Sequence, residues 1–399
     1  MENAKVVIGA NFGDEGKGLM TDYLASLQDD TVVARFSGGA QASHTVQTPK
    51  GLRHVFSHIP AGAYMGHPGF LSEHFVANPM LLRKELKTIV GKPTVYVDRK
   101  CLVTTPIDML INQGLEAARA ASGTGRHGSC GIGINETVTR SQSDDRFVIT
   151  VDDMGSDGAL TMKFERILTK YLPKRMEHLG LDYGHLPVDP REVDVLGPFL
   201  SDVNLFREVM LPAEVSILQR FKQVIFEGSQ GLLLDELSPF FPHVTRARTG
   251  LTNVIEICRA AKIRKVDVVY VSRCYLTRHG VGPLPNEVIG RPIYPGINDK
   301  TNVWNPYQGS LRFAPLNLDL LGHAIGSDLA QAKDLVADAS MAITCLDQLP
   351  GDKLKVILGG KESEVGIDEL KKTSPIKYVS YGPSRSDVKM LNGHKEGRV

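Results

Sequence analysis

Cysteine is scarce in this chain: five residues are spread over 399, and no two of them have CxxC spacing. Neither a zinc site nor a disulfide framework is therefore predicted, and a reducing cytoplasm is the expected compartment. No stretch approaches the ~20 apolar residues of a membrane helix, so no span is expected. No signal peptide is expected either, because the N-terminus leads straight into a predicted strand.

Excess charge is also absent, because the formal net charge at pH 7 is only +1. A near-neutral chain gives no support for a nucleic-acid-binding or membrane-binding surface. The composition is 42% hydrophobic and 23% charged, which is typical of a globular protein with a sizeable core. The length allows one large domain or two.

A glycine-rich turn at residues 9–18 stands between an apolar run at 6–8 and a helical pattern at 19–25. The run predicts a short buried strand. The backbone N–H groups of such a turn, together with the positive end of the helix dipole, favour a phosphate group. Lys17 adds a full positive charge at the same place.

The turn is not a standard P-loop, since Asn11 and Gly18 stand where that motif needs a glycine and a Ser or Thr. Asp14 and Glu15 inside the loop indicate a bound metal ion or a proton transfer, because carboxylates otherwise repel phosphates. The hexapeptide Gly-Asp-Glu-Gly-Lys-Gly at residues 13–18 resembles the phosphate loop of the adenylosuccinate synthetase family. That family joins aspartate to C6 of a 6-oxopurine nucleotide, using a nucleoside triphosphate and Mg²⁺.

A second loop of small residues, 37–45, follows the strand predicted at 31–36. It resembles the family's Gly-Gly-His-Asn-Ala-Gly-His-Thr, which places His44 on the catalytic histidine. Ala40 replaces the first histidine of that pattern, and Ser43 replaces a glycine. Small residues at a strand end allow a ligand to approach the backbone closely.

A third glycine-rich loop lies at residues 123–135, and its segment 131–133 matches the loop with which the family grips the acceptor's 5′-phosphate. Ser129 can replace a threonine hydroxyl of that loop. Arg140 lies near the arginine that the family lends across its dimer interface.

The segment 226–235 closely resembles Phe-Glu-Gly-Ala-Gln-Gly-Thr-Leu-Leu-Asp, whose glutamine binds the purine 6-oxygen. That role falls on Gln230, and Thr245 matches a threonine that contacts the phosphate. Arg246 and Arg248 replace small polar residues of the family. Two alternatives stay open for them: contact with a phosphate group, or exposure to solvent.

The C-terminal third also resembles the family. The segment 307–312 falls on the aspartate-binding loop, Thr-Thr-Gly followed by four arginines, of which only Arg312 clearly remains. Asp347 matches the aspartate that reads the donor base, with Cys345 in place of the family's lysine. The segment 378–385 resembles the second base-binding segment.

The resemblance implies four sets of site residues. The catalytic set is Asp14 as general base, His44 as general acid, Lys17 and Gln230. Triphosphate binding falls on Gly13, Asp14, Glu15, Gly16, Lys17, Gly18, Ser43, His44, Thr45, Asp347, Ser380, Gly382 and Pro383. Acceptor binding falls on Asp14, Gln41, Ser129, Cys130, Arg140, Gln230 and Thr245. Aspartate binding falls on Tyr307, Gln308, Gly309, Ser310 and Arg312, and Mg²⁺ binding on Asp14 and Ser43.

Strands alternate with helical patterns through most of the chain, which predicts an α/β fold with a largely parallel central sheet and glycine-rich phosphate loops at strand ends. Glycine thins out between about 152 and 222, where a helical insertion into a single domain spanning 1–399 is predicted. The family implies a homodimer with a shared active site.

The acceptor nucleotide and the donor stay open. Ser310 stands where the family has an arginine that reaches the ribose 2′-hydroxyl, and this favours dGMP, as in a phage-type branch that makes the 2-aminoadenine precursor. The chain would then act in a host cytoplasm. The alternative acceptor is IMP, and a nucleotide-binding switch without ligase activity is a second alternative. Asp347 favours GTP as donor, whereas Cys345 leaves ATP open.

Overall fold

The computed structural model describes residues 3–122, 129–302, 304 and 309–391. The strands in this part of the chain are β1 (Asn3–Gly9), β2 (Thr31–Arg35), β3 (His44–Gln47), β4 (Arg53–Phe56), β5 (Gly69–Leu71), β6 (Val76–Ala77), β7 (Val95–Asp98), β8 (Leu102–Val103), β9 (Met210–Ala213), β10 (Gln223–Glu227), β11 (Lys265–Arg273), β12 (Tyr275–Arg278), β13 (Arg312–Asn317), β14 (Val336–Thr344), β15 (Lys353–Leu358), β16 (Lys361–Gly366), β17 (Ile376–Ser380) and β18 (Val388–Met390).

The α-helices are α1 (Lys17–Ala25), α2 (Pro79–Leu86), α3 (Pro106–Ala121), α4 (Ile134–Ser143), α5 (Asp157–Arg166), α6 (Leu172–Leu179), α7 (Leu196–Val209), α8 (Leu251–Ala260), α9 (Leu318–Gln331) and α10 (Ile367–Leu370). Several begin at residues suited to helix starts. Thr105 and Asp108 form a capping box at α3, with Pro106 in the first turn, and the Asn78 side chain caps α2.

A ten-stranded sheet forms the centre, in the order β18-β17-β14-β11-β1-β10-β2-β5-β7-β9. Every pairing in it is parallel except β17 with β18. Val6, Val7 and Ile8 of β1 are fully buried, as expected for a central parallel strand covered on both faces. The predicted α/β fold with a largely parallel sheet is therefore confirmed.

The five central strands β14, β11, β1, β10 and β2 are neighbours, so their carboxyl ends meet at one edge of the sheet. The phosphate loop follows β1, the loop at 37–43 follows β2, and the segment 228–231 follows β10. This placement brings segments that are distant in sequence to a single edge, where ligands bind in sheets of this kind.

The range 152–222 contains α5, α6 and α7, and residues 167–171 form a π-helical turn between the first two. The same range also holds β9, which pairs with β7 at the sheet edge and which the sequence analysis missed. Phe164, Phe199 and Val203 share one apolar core with Val95 and Val97 of β7. The assignment of the whole chain to one domain stays a prediction.

Within the described ranges, no helix has both the length and the apolar character needed to cross a membrane.

Candidate active site

A cavity of about 760 Å³ opens at the carboxyl ends of the central strands. Its walls bring together most of the predicted catalytic and acceptor residues. Those that line it are Gly13, Asp14, Gly16, Lys17, Gly18, Gln41, Ser43, His44, Thr45, Ser129, Cys130, Gln230 and Thr245. Segments predicted to bind two different nucleotides therefore share one space, which is large enough for small-molecule ligands.

The phosphate loop takes its shape from Glu15. Its carboxylate accepts hydrogen bonds from the backbone N–H groups of Asn11 (3.1 Å) and Gly13 (2.7 Å) and from Lys17 Nζ (2.7 Å). The side chain is buried beneath the loop and does not line the cavity. The Glu15 carboxylate therefore holds the loop and Lys17 in place, and the assignment of Glu15 to triphosphate binding stays a prediction.

Three residues with a left-handed backbone and a side chain lie in the motif segments: two predicted site residues, and Cys345 two positions before the predicted Asp347. They are Asp14 (φ +63°), Gln230 (φ +58°) and Cys345 (φ +63°). This region disfavours residues other than glycine, and such strain is concentrated at functional sites. Gln230 lies close to the phosphate loop, because a Cβ built on Gly13 would be 3.6 Å from Gln230 Oε1.

Asp14 is held at both its backbone and its side chain. Arg273 Nε donates a hydrogen bond to the Asp14 carbonyl oxygen, and His279 Nε2 lies 3.2 Å from Asp14 Oδ2. Burial acts to raise the pKa of Asp14, but His279, Arg273 and Lys17 outweigh it and lower that pKa below its usual value. The carboxylate is therefore ionised at neutral pH, as a proton acceptor or a metal ligand must be.

His44 begins β3 and is packed against the phosphate loop. A Cβ added to Gly18 would come within 2.9 Å of both His44 Cβ and the Thr45 carbonyl oxygen, so this approach needs a glycine. His44 Nδ1 lies 2.7 Å from Glu227 Oε1, while Nε2 is buried and has no hydrogen-bond partner among the described residues. Burial lowers the pKa of His44 to about 4, although the Glu227 carboxylate acts in the opposite direction.

The acceptor end of the cavity is formed by α3 and the start of α4. Asn112 Nδ2 donates to Ser129 Oγ (3.0 Å), and Asn112 Oδ1 accepts from the Gly133 backbone N–H (3.2 Å). Burial raises the pKa of the Cys130 thiol to about 11, so this group is neutral. The loop at residues 123–128, which the sequence analysis also assigned to this end, lies outside the described residues.

Arg140 does not lie in the cavity wall. Its guanidinium is completely buried and donates to Asp108 (2.8 and 3.0 Å) and to the carbonyl oxygens of Val103 and Phe147. Every nitrogen is therefore engaged within the same chain. The ion pair with Asp108 fastens α4 to α3, and the assignment of Arg140 to the acceptor nucleotide stays a prediction.

Replacing Arg140 with methionine is expected to lower the free energy of unfolding by about 3–5 kcal/mol, because Asp108 would be left buried without its counter-charge. Urea denaturation measures this change. Arg146→Met removes an ion pair with Asp144 at the surface and serves as the control, with no measurable loss. An Arg140→Met protein of wild-type stability that loses activity would instead return Arg140 to the active site.

The sequence left the roles of Arg246 and Arg248 open, and the structure gives the two side chains different surroundings. Arg248 Nε donates to the Asp235 carboxylate (3.1 Å), so this arginine is tied into the loop that follows β10. Arg246 lines the cavity, and one of its terminal nitrogens donates to Gln142 Oε1 (3.1 Å).

Among the residues that the structure describes, the predicted aspartate-binding and donor-base residues do not line this cavity. Arg312 pairs with Glu287 (2.7 Å), and Gly309 and Ser310 are the described members of its loop. Tyr307 and Gln308 lie outside the described residues. The predicted donor-base residues lie at the ends of two strands: Asp347 follows β14, Ser380 ends β17, and Gly382 and Pro383 come shortly after it. Thr344, the last residue of β14, donates a hydrogen bond from Oγ1 to the Glu15 carbonyl oxygen (2.7 Å), which joins this end of β14 to the phosphate loop.

Sequence reasoning missed Glu227 and His279 as functional side chains. Glu227 stood in a matched segment, but only the fold places it beside His44. His279 stood in a segment resembling Thr-Arg-Val-Gly-Ala-Gly-Pro-Phe-Pro, where a histidine in place of valine was a signal that could have been followed.

Comparisons with known proteins agree with this geometry. The profile of the family described as adenylosuccinate synthetase matches residues 6–302. An adenylosuccinate synthetase of Clostridium botulinum (strain Alaska E43 / Type E3) is 29% identical over 378 residues, covering 92% of this chain and 83% of the relative. That of Anaeromyxobacter sp. (strain Fw109-5) is 32% identical over 295 residues, covering 71% and 65%.

Two solved structures share the fold. The fully ligated adenylosuccinate synthetase of Plasmodium falciparum has a TM-score of 0.76 at 18% identity and covers 98% of this chain and 100% of that one. The succinoaminodeoxyadenylate synthetase of cyanophage S-2L, solved with dGMP and dATP, has a TM-score of 0.58 at 17% identity and covers 98% and 95%. At these identities the likeness establishes the fold alone.

The profile match extends over most of the chain and includes the phosphate loop, His44 and Gln230. The chain therefore belongs to the adenylosuccinate synthetase family and is a C–N ligase that uses aspartate and a purine nucleotide.

Proposed function

We propose that the chain joins L-aspartate to C6 of IMP through a 6-phosphoryl intermediate, with GTP as the phosphoryl donor. The observation that carries this proposal is the single cavity in which the phosphate loop, the acceptor residues Ser129 and Thr245, and the reactive side chains Asp14, His44 and Gln230 meet. A protein that only binds and hydrolyses a triphosphate would not need the acceptor residues.

The residues divide the chemistry between them. Asp14 takes the proton from N1 of the purine, which makes O6 nucleophilic, and Gln230 binds O6. O6 then attacks the γ-phosphorus of GTP, the bond from that phosphorus to the β–γ bridging oxygen breaks, and GDP leaves. Lys17 and the loop N–H groups stabilise the transferred phosphoryl group. The aspartate amine finally attacks C6, and phosphate leaves.

His44 is proposed as the general acid at the transferred phosphoryl group. In the free protein its imidazole is neutral, because burial lowers the pKa to about 4. The negative oxygens of a bound triphosphate raise the pKa of a neighbouring imidazole, since an opposite charge favours the protonated form. Glu227 holds Nδ1, so the proton is carried on Nε2, the atom that has no protein partner.

Mg²⁺ fits the donor set at the phosphate loop. Proteins bind this ion through one or two carboxylates together with substrate phosphates, and Asp14 supplies one ionised carboxylate beside the loop. Ser43, which also lines the cavity, is the second proposed ligand. The ion would neutralise charge on the phosphates during transfer.

The order of the two acceptors differs from that of the sequence analysis, which favoured dGMP. IMP is placed first here because the curated relatives, among them one covering 92% of this chain, are named adenylosuccinate synthetase. dGMP is the second candidate. It is supported by Ser310, which stands where the family has an arginine that reaches the ribose 2′-hydroxyl of the acceptor. The cyanophage protein of the same fold, solved with dGMP, also supports it.

The test offers the enzyme IMP, GMP, dIMP and dGMP in turn, each with aspartate, Mg²⁺ and GTP, ATP or dATP. The expected result is phosphate release that requires both aspartate and a monophosphate, with the largest kcat/KM for IMP and GTP. A larger kcat/KM for dGMP than for IMP would overturn the choice of IMP as the acceptor, and the assignment of ligase activity would stand. Triphosphate hydrolysis indifferent to aspartate and monophosphate would overturn the ligase in favour of a switch.

The homodimer with a shared active site stays a prediction from the family.

A further inference from the structure

Asp14 and His279 form an ion pair at the cavity wall. His279 Nε2 lies 3.2 Å from Asp14 Oδ2, and both side chains also line the cavity. Each is partly exposed, at 22% for His279 and 31% for Asp14, so the pair borders the space a substrate would fill.

The backbone of Asp14 needs such support. Its φ of +63° is unfavourable for any residue other than glycine, so the loop keeps this shape only where its surroundings impose it. Arg273 fixes the carbonyl group of Asp14, and His279 fixes the carboxylate. The two anchors come from the end of β11 and from the residue that follows β12.

The Arg273 anchor is supported by the segment 299–302. Arg273 pairs with Asp299 Oδ2 at 2.9 Å, and Asp299 Oδ1 accepts from the backbone N–H groups of Thr301 (3.0 Å) and Asn302 (2.9 Å). Asn302 Nδ2 also donates to Asp299 Oδ2 at 2.9 Å. The position of Asp14 is therefore set by a connected group of side chains and not by the loop alone.

We propose that His279 is a positioning residue that holds Oδ2 of Asp14, so that Oδ1 is presented to the acceptor base. This inference rests on the proposed function, because Asp14 is the group that must meet N1 of the purine. A residue acting in this way affects the chemical step more than substrate binding, since misplacing a reacting group by about 1 Å can cost 10²-fold in rate. Its loss should therefore lower kcat with little change in KM.

The test compares three variants in the aspartate-dependent assay. His279→Val introduces the residue of the family motif and is expected to lower kcat about 10–100-fold, the usual effect of removing a group that orients a reactive one. His279→Gln, whose terminal amide N–H can replace Nε2–H, is expected to regain most of that loss. His74→Val removes a similar pair, His74 Nε2 with Glu256 at 3.3 Å, outside the cavity lining, and should have no effect.

Hydrogen exchange gives a readout that needs no turnover. The backbone amides of residues 13–16 should exchange faster in His279→Val than in wild type, His279→Gln or His74→Val. Wild-type kcat and unchanged exchange in His279→Val would overturn the inference. A raised KM for the acceptor with kcat unchanged would also overturn it, because His279 would then bind substrate directly. An inactive wild-type enzyme would refute the proposed function, and the exchange data would still decide the inference.

Discussion

Replacing Asp14 with asparagine is expected to lower kcat by ~10²–10⁴-fold, the usual contribution of a positioned general base. Asparagine has nearly the same size, but its amide cannot take the N1 proton and is a poorer ligand for Mg²⁺. The hydrogen bond from Arg273 goes to the backbone carbonyl of residue 14, so the loop should keep its shape. Aspartate-dependent phosphate release at saturating substrate measures the change.

A control separates this loss from unfolding or from a general charge effect. Asp29→Asn makes the same substitution at an exposed position and should leave kcat unchanged. Both variants should melt near the wild-type temperature. Near wild-type turnover in a folded Asp14→Asn enzyme would remove Asp14 from the role of base.

Replacing His44 with alanine is the second large expected effect, again ~10²–10⁴-fold in kcat for the loss of a general acid. Nε2 of His44 is buried, has no protein partner and belongs to a side chain that lines the cavity, so no other described side chain is hydrogen-bonded to that atom. The alanine variant also leaves Glu227 buried without its partner, and some loss of stability is expected with it.

A second variant distinguishes the two losses. In His44→Asn, the amide N–H can still donate to Glu227, so stability should stay close to wild type while kcat remains as low as in His44→Ala. Exposed His178→Ala is the matched control and should change neither quantity. Recovery of turnover in His44→Asn would show that the imidazole acts through Glu227 and not as an acid.

Much of the fold could be predicted because central parallel strands are buried on both faces and appear as short apolar runs. The runs at 6–8 and 223–226 became β1 and β10, and 266–273 lies within β11. β9 was missed because it is a four-residue edge strand, Met210–Ala213, inside a stretch otherwise dominated by helices. Its pairing with β7 joins segments far apart in sequence, which local periodicity cannot indicate.

Motifs in the sequence predicted the chemistry of the site, but they did not predict which neighbours each side chain contacts. Glu15 and Arg140 were placed at the substrates by the resemblance of their segments to the family. In the structure the side chain of each is bonded to neighbours. Glu15 accepts hydrogen bonds from loop N–H groups and Lys17, and Arg140 donates to Asp108. A buried charge must be paired, and which partner is near depends on packing.

The sequence by itself determined the class of the protein, because short motifs such as 13–18 carry their mechanism in consecutive residues and need only a strand before them and a helix after them. The tertiary structure alone decided what surrounds each reactive group: Glu227 behind His44, Asn112 behind Ser129, and His279 and Arg273 on Asp14. Arg273 and Asp14 are 259 residues apart, and they meet because β1 and β11 are adjacent parallel strands whose carboxyl ends share one edge. Such contacts arise from the order of strands in the sheet, which no local stretch of sequence encodes.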